Sequence, residues 1–148
     1  MIIPDVNLLL YAYDSSSPHH GAAAKWWKGC LTGNDRVGLA ASVIFGFVRI
    51  STHSRIFQYP LTLADAAVRV ESWMMRPQVR VIEHSSRHVA DVLELLEETG
   101  TAGNLTTDAQ IAALARQENG VVHSHDNDFK RFIGIRWHDP LTGISNAT

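Results

Sequence analysis

Residues 103–132 constrain the fold of this chain more than any other segment, because a helix signal, a strand signal and a group of acids follow one another within it. Thr107 and Gln110 have the spacing of a capping box, in which two side chains satisfy free amide groups at a helix start. This spacing places Asp108 in the first helical turn, where the helix dipole favours a carboxylate. The segment therefore predicts a helix that presents one acid at its amino end.

A short apolar strand and two further acids follow that helix. Gly120 is a typical helix stop, and Val121 and Val122 begin a buried strand. Asp126 and Asp128 come after the strand, two residues apart. In an open α/β sheet, ligands bind outside the carboxyl ends of the strands. We therefore expect these acids to lie at a ligand site.

The remaining sequence alternates apolar strand segments with amphipathic helices. Strands are expected near residues 1–5, 36–40, 79–82 and 133–137, and helices just after Asp5 and near 20–31, 42–50, 62–75 and 85–98. The last of these helices carries Val89, Val92, Leu93 and Leu96 on one stripe, which predicts a buried face. This alternation indicates an α/β fold with a mostly parallel central sheet flanked by helices. A length of 148 residues fits a single domain over 1–148.

Composition narrows the class of protein further. With 45% hydrophobic and 19% charged residues, the chain is typical of a globular protein rather than a disordered one. No signal peptide and no apolar run of membrane-spanning length is visible, so we expect no membrane association. The single Cys30 suits a reducing cytoplasm. A formal net charge of -2 is unlike the basic balance of simple nucleic-acid binders, but carboxylates that hold cations lower the formal charge of a loaded site.

Asp5 is a further acid in the same kind of position as Asp126. It follows the first apolar strand, as Asp126 follows the fourth. If these two strands are neighbours, Asp5, Asp108 and Asp126 converge at one end of the sheet. Oxygen ligands of this kind suit Mg²⁺ or Mn²⁺ rather than zinc, and they favour phosphodiester hydrolysis by a metal-activated water. Each acid also has an alternative interpretation as a turn or helix cap.

Three motifs in this order resemble those of a known family. They are Asp5-Val-Asn7-Leu-Leu, Gly103-Asn104-Leu-x-x-Asp108-Ala and Ser124-x-Asp126-x-Asp128-Phe129. Together they are similar to the PIN-domain ribonucleases, specifically the VapC-like toxins of bacterial type II toxin-antitoxin modules. The resemblance implies a PIN-like three-layer α/β sandwich, an Mg²⁺ or Mn²⁺ site, and cleavage of structured RNA such as tRNA or rRNA. It also implies a homodimer and inhibition by a cognate antitoxin protein.

The resemblance assigns roles to individual residues. The expected catalytic and metal-binding acids are Asp5, Asp108 and Asp126, with Asp128 as a further metal ligand and with Asn7 and Ser124 as polar residues that orient the carboxylates. One position departs from the family pattern. Many relatives have a glutamate three residues before the arginine that is Arg49 here, whereas this chain has Gly46. Fewer ligands favour one resident ion with a second one recruited by the substrate.

Two alternative functions stay open at this point. The loss of a carboxylate at Gly46 keeps open a non-catalytic or weakly active binding protein on the same fold. A phosphatase of the haloacid-dehalogenase type would use a strand-end aspartate such as Asp5 as its nucleophile. That class needs a second acid two residues later, and Asn7 stands there instead.

Several other side chains have two interpretations. Arg49, Arg55, Lys130 and Arg131 are candidates for RNA phosphate contacts beside the acids, or ordinary solvated charges. His123 and His125 lack the further ligands of a zinc site, so we expect exposed or hydrogen-bonded histidines.

The aromatic residues indicate a core and partner surfaces. The adjacent Trp26 and Trp27 cannot both face one core, so one of them is expected at an edge or a partner surface. Together with the apolar helices, this pair suggests a dimer and an antitoxin-binding groove. The aromatic residues expected in the core or at the dimer surface are Phe45, Phe47, Trp73 and Trp137.

Overall fold

A computed structural model describes residues 1–147 of the chain. Within these residues the strands are β1 (Ile2–Pro4), β2 (Val37–Leu39), β3 (Val79–Val81), β4 (Val121–His123) and β5 (Trp137–His138). The α-helices are α1 (Val6–Tyr13), α2 (His20–Thr32), α3 (Ala41–Ser51), α4 (Leu63–Met74), α5 (His88–Thr99) and α6 (Leu105–Gln117). All strand pairs are parallel, in the order β3-β2-β1-β4-β5. The expected α/β fold with a parallel central sheet is therefore confirmed.

The strand order creates a point where the chain reverses direction across the sheet. The chain moves from β1 to β2 and β3, and then returns to β4 on the other side of β1. Because parallel crossovers are right-handed, this reversal puts α1–α4 on one face and α5 and α6 on the other. The observed packing agrees, since α1 contacts α2 and α3, while α5 contacts α6. Ligands of open α/β sheets bind where the order reverses, which here is between β1 and β4.

The strands are short, with two or three residues each, and the central ones are buried. Ile3, Val37, Leu39 and Val122 have no solvent exposure, as expected for parallel strands that helices cover on both faces. Pro4 pairs with His123 in the register of β1 and β4. The residues that follow these two strands therefore lie side by side at one edge of the sheet.

An aromatic cluster fixes the helices on the α1–α4 face. Trp73 is fully buried and packs against Trp27 and Phe47, with ring centroids 5.5 and 4.9 Å away. The Trp73 indole N–H donates to the Tyr13 hydroxyl at 2.8 Å. Phe47, Trp73 and Trp137 thus belong to the core, whereas Phe45 is 69% exposed. Because Tyr13 ends α1, this cluster also holds the helix that begins beside Asp5.

The sequence has capping-box spacing at Thr62 and Asp65 as well as at Thr107 and Gln110, and the structure forms only the first of these boxes. At the start of α4 the box is formed, because the Thr62 hydroxyl accepts from the Asp65 N–H and the Asp65 carboxylate accepts from the Thr62 N–H. The box predicted at Thr107 and Gln110 is wrong, since α6 already begins at Leu105. Gly103 adopts a left-handed φ of 55°, which turns the chain into the helix early. Asp108 nevertheless lies in the first turn, as expected.

The predicted apolar stripe of α5 is only partly buried. Val92 and Leu96 face the core, together with Leu95. Val89 and Leu93 are instead 71% and 53% exposed, because α5 rests on α6 with a narrower face than the sequence pattern predicts. Among the described residues, no helix has the length and apolarity to cross a membrane.

Candidate metal centre

Asp5 lies at the reversal point, between the end of β1 and the start of α1. It is the N-cap of α1, and its Oδ1 accepts from the Val6 N–H at 2.7 Å. Its own N–H donates to the His123 carbonyl oxygen at 2.9 Å, which extends the pairing between β1 and β4 by one residue. Only 4% of Asp5 is exposed. The capping role and the site position therefore belong to the same buried carboxylate.

Ser124 connects Asp5 to the acids that follow β4. This fully buried hydroxyl donates to Asp5 Oδ2 at 2.7 Å and accepts from the Asp126 N–H at 2.9 Å. Asp126 Oδ1 in turn accepts from the Asp128 N–H at 2.8 Å, and Asp126 caps a short 3-10 helix, Asn127–Arg131. This chain of hydrogen bonds sets the positions of the two loops relative to each other.

Three carboxylates form a compact group next to these hydrogen-bonded residues. Asp108, Asp126 and Asp128 each offer an oxygen, and these oxygens lie within 4.8 Å of one another. Asp5 stands outside that group but reaches it through Ser124. The fold thus brings together all four acids that the sequence pointed to, although they come from three separate parts of the chain.

The electrostatics of the group show an excess of negative charge. Burial, together with the charges of Asp5, Asp126 and Asp128, raises the pKa of Asp108 to about 7. Burial also raises the pKa of Asp5, and the hydrogen bond from Ser124 offsets only part of that effect. Among residues 1–147, the one basic side chain within 4.0 Å of these acids is Arg131, 3.8 Å from Asp128. An all-oxygen set with uncompensated charge fits a divalent cation such as Mg²⁺ or Mn²⁺.

Position 46 lies next to the start of α1. A Cβ atom added to Gly46 would be 3.4 Å from Cγ2 of Val6, the residue after Asp5, which is ordinary van der Waals contact. A carboxylate at this position, which the family resemblance leads one to expect, would therefore start from the helix beside Asp5. Asn7, on the first turn of α1, lines a cavity together with Asp126.

The four basic residues considered for RNA contacts are all exposed, but they differ in their partners. Arg131 forms the ion pair with Asp128 described above, and the Lys130 ammonium lies 4.8 Å from the centroid of the Trp137 ring. Arg49 and Arg55 form no ion pair among residues 1–147. Arg49 and Arg55 are therefore the two cations that would not have to give up an internal partner to contact RNA.

Both histidines near the acids are hydrogen-bonded, as expected. His123 Nδ1 accepts from the Trp26 indole N–H at 3.1 Å, and burial together with His138 lowers the pKa of His123 to about 4. Of the two adjacent tryptophans, one of which was expected at an edge or partner surface, Trp27 is buried and Trp26 is half-buried and bonded within the fold. His125 Nδ1 donates to Asp139 at 2.8 Å.

Three neighbours of the site were missed from the sequence. In the sequence, Tyr11 stands in an apolar run, His19 directly precedes the helix expected near residues 20–31, and Asp139 directly precedes Pro140. One signal was available for Asp139, because it directly follows β5 just as Asp5 follows β1. The other two are near the site only because α1 and the segment before α2 pack at this edge of the sheet.

Comparison with known proteins identifies the family. The family model described as "PIN domain" matches residues 2–134 of the chain. The chain belongs to the PIN-domain family. Within that family it is 44% identical to Ribonuclease VapC33 of Mycobacterium tuberculosis over 141 residues, which cover 95% of this chain and 99% of that protein. It is 39% identical to Ribonuclease VapC37 of the same organism over 140 residues, or 95% and 97% of the two chains.

Solved structures share the PIN-domain fold at low sequence identity. VapC20 of Mycobacterium tuberculosis, described as a sarcin-ricin loop cleaving toxin, matches with a TM-score of 0.66 and 18% identity over 91% of this chain and 98% of that one. VapBC2 of Rickettsia felis, bound to a DNA fragment from its promoter, matches with a TM-score of 0.68 and 19% identity over 93% and 98%. The sheet and helices of this PIN domain therefore have the arrangement of the VapC toxins.

Replacing Ser124 with alanine tests the hydrogen-bond chain. The substitution leaves a carboxylate oxygen of Asp5 and the Asp126 N–H without their shared partner, so we expect a loss of about 1–3 kcal/mol in the free energy of unfolding. Urea denaturation measures this loss. The exposed loop residue Ser54 provides a control, because Ser54→Ala should change stability by less than about 0.5 kcal/mol. Equal effects of the two substitutions would show that the hydrogen bonds of Ser124 contribute nothing to stability.

Asp108 should make the stability of the metal-free PIN domain depend on pH. Its folded pKa of about 7 lies above the ordinary value of 3.8, so the folded state binds this proton more tightly than the unfolded state. The penalty from ionised Asp108 is absent below pH 3.8, grows as pH rises and is complete above about pH 7. We expect Asp108→Asn to melt above the wild type in EDTA at pH 8, with a smaller difference at pH 5. Scanning calorimetry measures both differences.

A second aspartate provides the control for that measurement. Asp35 is exposed in the loop before β2, and Asp35→Asn should shift the melting temperature by the same small amount at both pH values. Added Mg²⁺ should stabilise the wild type more at pH 8 than at pH 5, because metal ligands must be deprotonated. A shift for Asp108→Asn that does not grow with pH contradicts the assignment.

Proposed function

We propose that this chain is a divalent-metal-dependent endoribonuclease that acts as the toxin of a toxin-antitoxin module. The observation that carries the proposal is the group of three carboxylates at the reversal point of the sheet, with Asp5 tied to it through Ser124. The VapC relatives named as ribonucleases support the same activity. We further propose that residues 1–148 act as one domain, because the acids of the site converge at one edge of a single sheet. The proposed location is the cytoplasm, which the single Cys30 suits.

The acids divide the work of the reaction between them. Asp108, Asp126 and Asp128 would hold Mg²⁺ or Mn²⁺, and Asp5 is proposed as a further ligand that Ser124 ties to the loop of Asp126. A bound cation of this kind supplies an activated water and neutralises charge on the scissile phosphate. Burial of Asp5 and Asp108 keeps these carboxylates poorly hydrated, so their interactions with a cation are stronger than in bulk water.

The number of ions follows from position 46. Because residue 46 is glycine, α3 contributes no carboxylate to the group. We propose one resident ion and a second that arrives with the substrate phosphate, because Mg²⁺ commonly binds through one or two carboxylates plus phosphate oxygens.

The proposed substrate is structured RNA such as tRNA or rRNA. A related toxin is described as cleaving the sarcin-ricin loop, which is consistent with this class. Arg49 and Arg55 are exposed and without ion-pair partners among residues 1–147, so they are the first candidates for phosphate contacts. Lys130 and Arg131 follow, since each would have to exchange an internal partner for RNA.

Loss of single carboxylates should remove RNA cleavage. We expect Asp5→Asn, Asp108→Asn and Asp126→Asn each to lower the cleavage rate with Mg²⁺ or Mn²⁺ by about 100-fold or more, because each weakens charge stabilisation worth several kcal/mol. Asp128→Asn should have a smaller effect, since this side chain is 50% exposed and already faces Arg131. Gel analysis of total cellular RNA measures the cleavage.

The same experiment separates the competing functions. Asp35→Asn, on an exposed loop, should cleave at the wild-type rate. Retained cleavage in the Asp5 and Asp108 variants would falsify the ribonuclease assignment. Absence of divalent-metal binding in calorimetry would instead favour a non-catalytic binding protein, the alternative that Gly46 motivates. The phosphatase alternative lacks a second acid at Asn7, and hydrolysis of a phosphate monoester without RNA cleavage would be needed to support it.

Partner binding should use exposed apolar surfaces. The structural neighbours include VapBC complexes, which supports an antitoxin partner for this chain. A cavity of about 270 Å³ lies between α3 and α4, and its lining includes Phe45 and Leu63, which are 69% and 72% exposed. We propose this groove as the binding site of the antitoxin.

The exposed Val89 and Leu93 on α5 are proposed as part of the homodimer interface.

Charge placed in the groove should separate the chain from its antitoxin. We expect Phe45→Glu to abolish co-purification with a co-expressed candidate antitoxin, because burying an unpaired carboxylate is unfavourable. Val68→Glu is the matched control, since Val68 is 57% exposed on α4 but outside the groove lining. If the Phe45→Glu variant still co-purifies with the antitoxin, the proposed groove is wrong.

A monomer in light scattering would contradict the proposed homodimer.

A further inference from the structure

A cavity opens next to the three-carboxylate group. It has a volume of about 290 Å³ and is lined by Asn7, Tyr11, His125, Asp126 and Asn127. Asp126 belongs both to this lining and to the three-carboxylate group. Whatever occupies the cavity therefore lies directly beside the proposed cleavage chemistry.

Two aromatic rings of the lining, Tyr11 and His125, pack against a third ring, His19, which comes from another part of the chain. The His19 ring lies 4.9 Å from the Tyr11 ring and 4.6 Å from the His125 ring, measured between centroids. The Tyr11 and His125 rings are 6.4 Å apart and nearly perpendicular, at 78°. All three residues are half-buried. They form an aromatic wall, which we define as Tyr11, His19 and His125.

Asp139 holds the His125 ring in a fixed orientation. Its carboxylate, which is 4% exposed, accepts from His125 Nδ1 and from the Thr142 hydroxyl, both at 2.8 Å, and from the Leu141 N–H at 2.9 Å. Burial alone would raise the pKa of Asp139, but these hydrogen bonds outweigh it and lower the pKa. The carboxylate is thus an acceptor, and Nδ1 must carry the proton. The Nε2 atom makes no hydrogen bond to protein among residues 1–147.

We infer that the cavity is a nucleobase subsite, which takes an unpaired base of the RNA next to the cleaved phosphodiester bond. This inference rests on the proposed ribonuclease function and adds how the substrate is positioned. Proteins bind unpaired bases by stacking them on aromatic and histidine rings and by hydrogen bonds to base edges. The aromatic wall supplies the rings, and the amides of Asn7 and Asn127 supply donors and acceptors.

The arrangement favours a base over a bare phosphate group. The carboxylate of Asp126 lies in the lining, and among residues 1–147 no lysine or arginine lines the cavity. A phosphate there would meet like charge, whereas a neutral base would not. The ring that Asp139 orients is already in place, so little side-chain entropy is lost when a base stacks on it.

Two substitutions at His125 separate the ring from its hydrogen bond. His125→Phe keeps an aromatic face but cannot donate to Asp139, whereas His125→Gln keeps a donor but has no ring. Both are made in Asp108→Asn protein, which allows binding to be measured without cleavage. The probe is a fluorescently labelled RNA fragment that spans the bond cut by the wild type. Matched fragments carry one abasic nucleotide on either side of that bond, and fluorescence anisotropy gives the affinities.

The expected result is a loss of base dependence with the loss of the ring. One abasic position should weaken binding about tenfold for the Asp108→Asn parent and for its His125→Phe derivative, but less than about twofold for His125→Gln. Tyr11→Leu, from a different element, should also reduce the effect. His84→Gln, at an exposed histidine outside the cavity, should leave the tenfold effect unchanged.

The outcomes keep this inference distinct from the proposed function. If wild-type protein cleaves RNA but His125→Gln and Tyr11→Leu both keep the tenfold base dependence, the subsite is overturned and the nuclease assignment stands. If wild-type protein with Mg²⁺ or Mn²⁺ cleaves no RNA, the proposed function fails first, and the subsite fails with it. Melting temperatures of the variants show that the proteins compared are folded.

Discussion

The parallel pairing of β1 with β4 is the constraint on which the rest of the site depends. Its register places Pro4 opposite His123, so the residues that leave the two strands become neighbours. Ser124 then donates to Asp5 and accepts from the Asp126 N–H. A shift of this register would move every acid relative to the others, because no other contact in the described residues joins Asp5 to the loop after β4 as directly.

The site is a concentration of like charge in a partly buried position, and this has an energetic cost. The raised pKa values of Asp5 and Asp108 are the measure of that cost. Backbone amides and one hydroxyl offset a part of it, but among residues 1–147 only Arg131 brings a positive charge within 4.0 Å, and it faces the most exposed acid, Asp128. Such local conflicts are expected at functional sites, where the surrounding fold maintains an arrangement that is unfavourable by itself.

The surface around the candidate metal centre has two different characters. Beside the acids lies a polar cavity lined by Tyr11 and His125, whose rings both contact His19, and the His125 ring is also held by its hydrogen bond to Asp139. On the helical faces, apolar side chains such as Phe45 and Leu93 remain exposed without internal partners large enough to cover them. The first surface is suited to an aromatic, hydrogen-bonding ligand, and the second to protein partners.

Local signals in the sequence determined the alternation of strands and helices, the cap at Thr62 and the acids at the strand ends, because each depends on residues only a few positions apart. They failed where tertiary packing chose between options. Gly103 started α6 two residues before the predicted capping box, and α6 covered only half of the stripe on α5. The joining of His125 to Asp139 and the approach of Tyr11 and His19 depended on strand order and helix packing. Contacts between distant segments carry no local signature, so only the tertiary structure decided which side chains share the site.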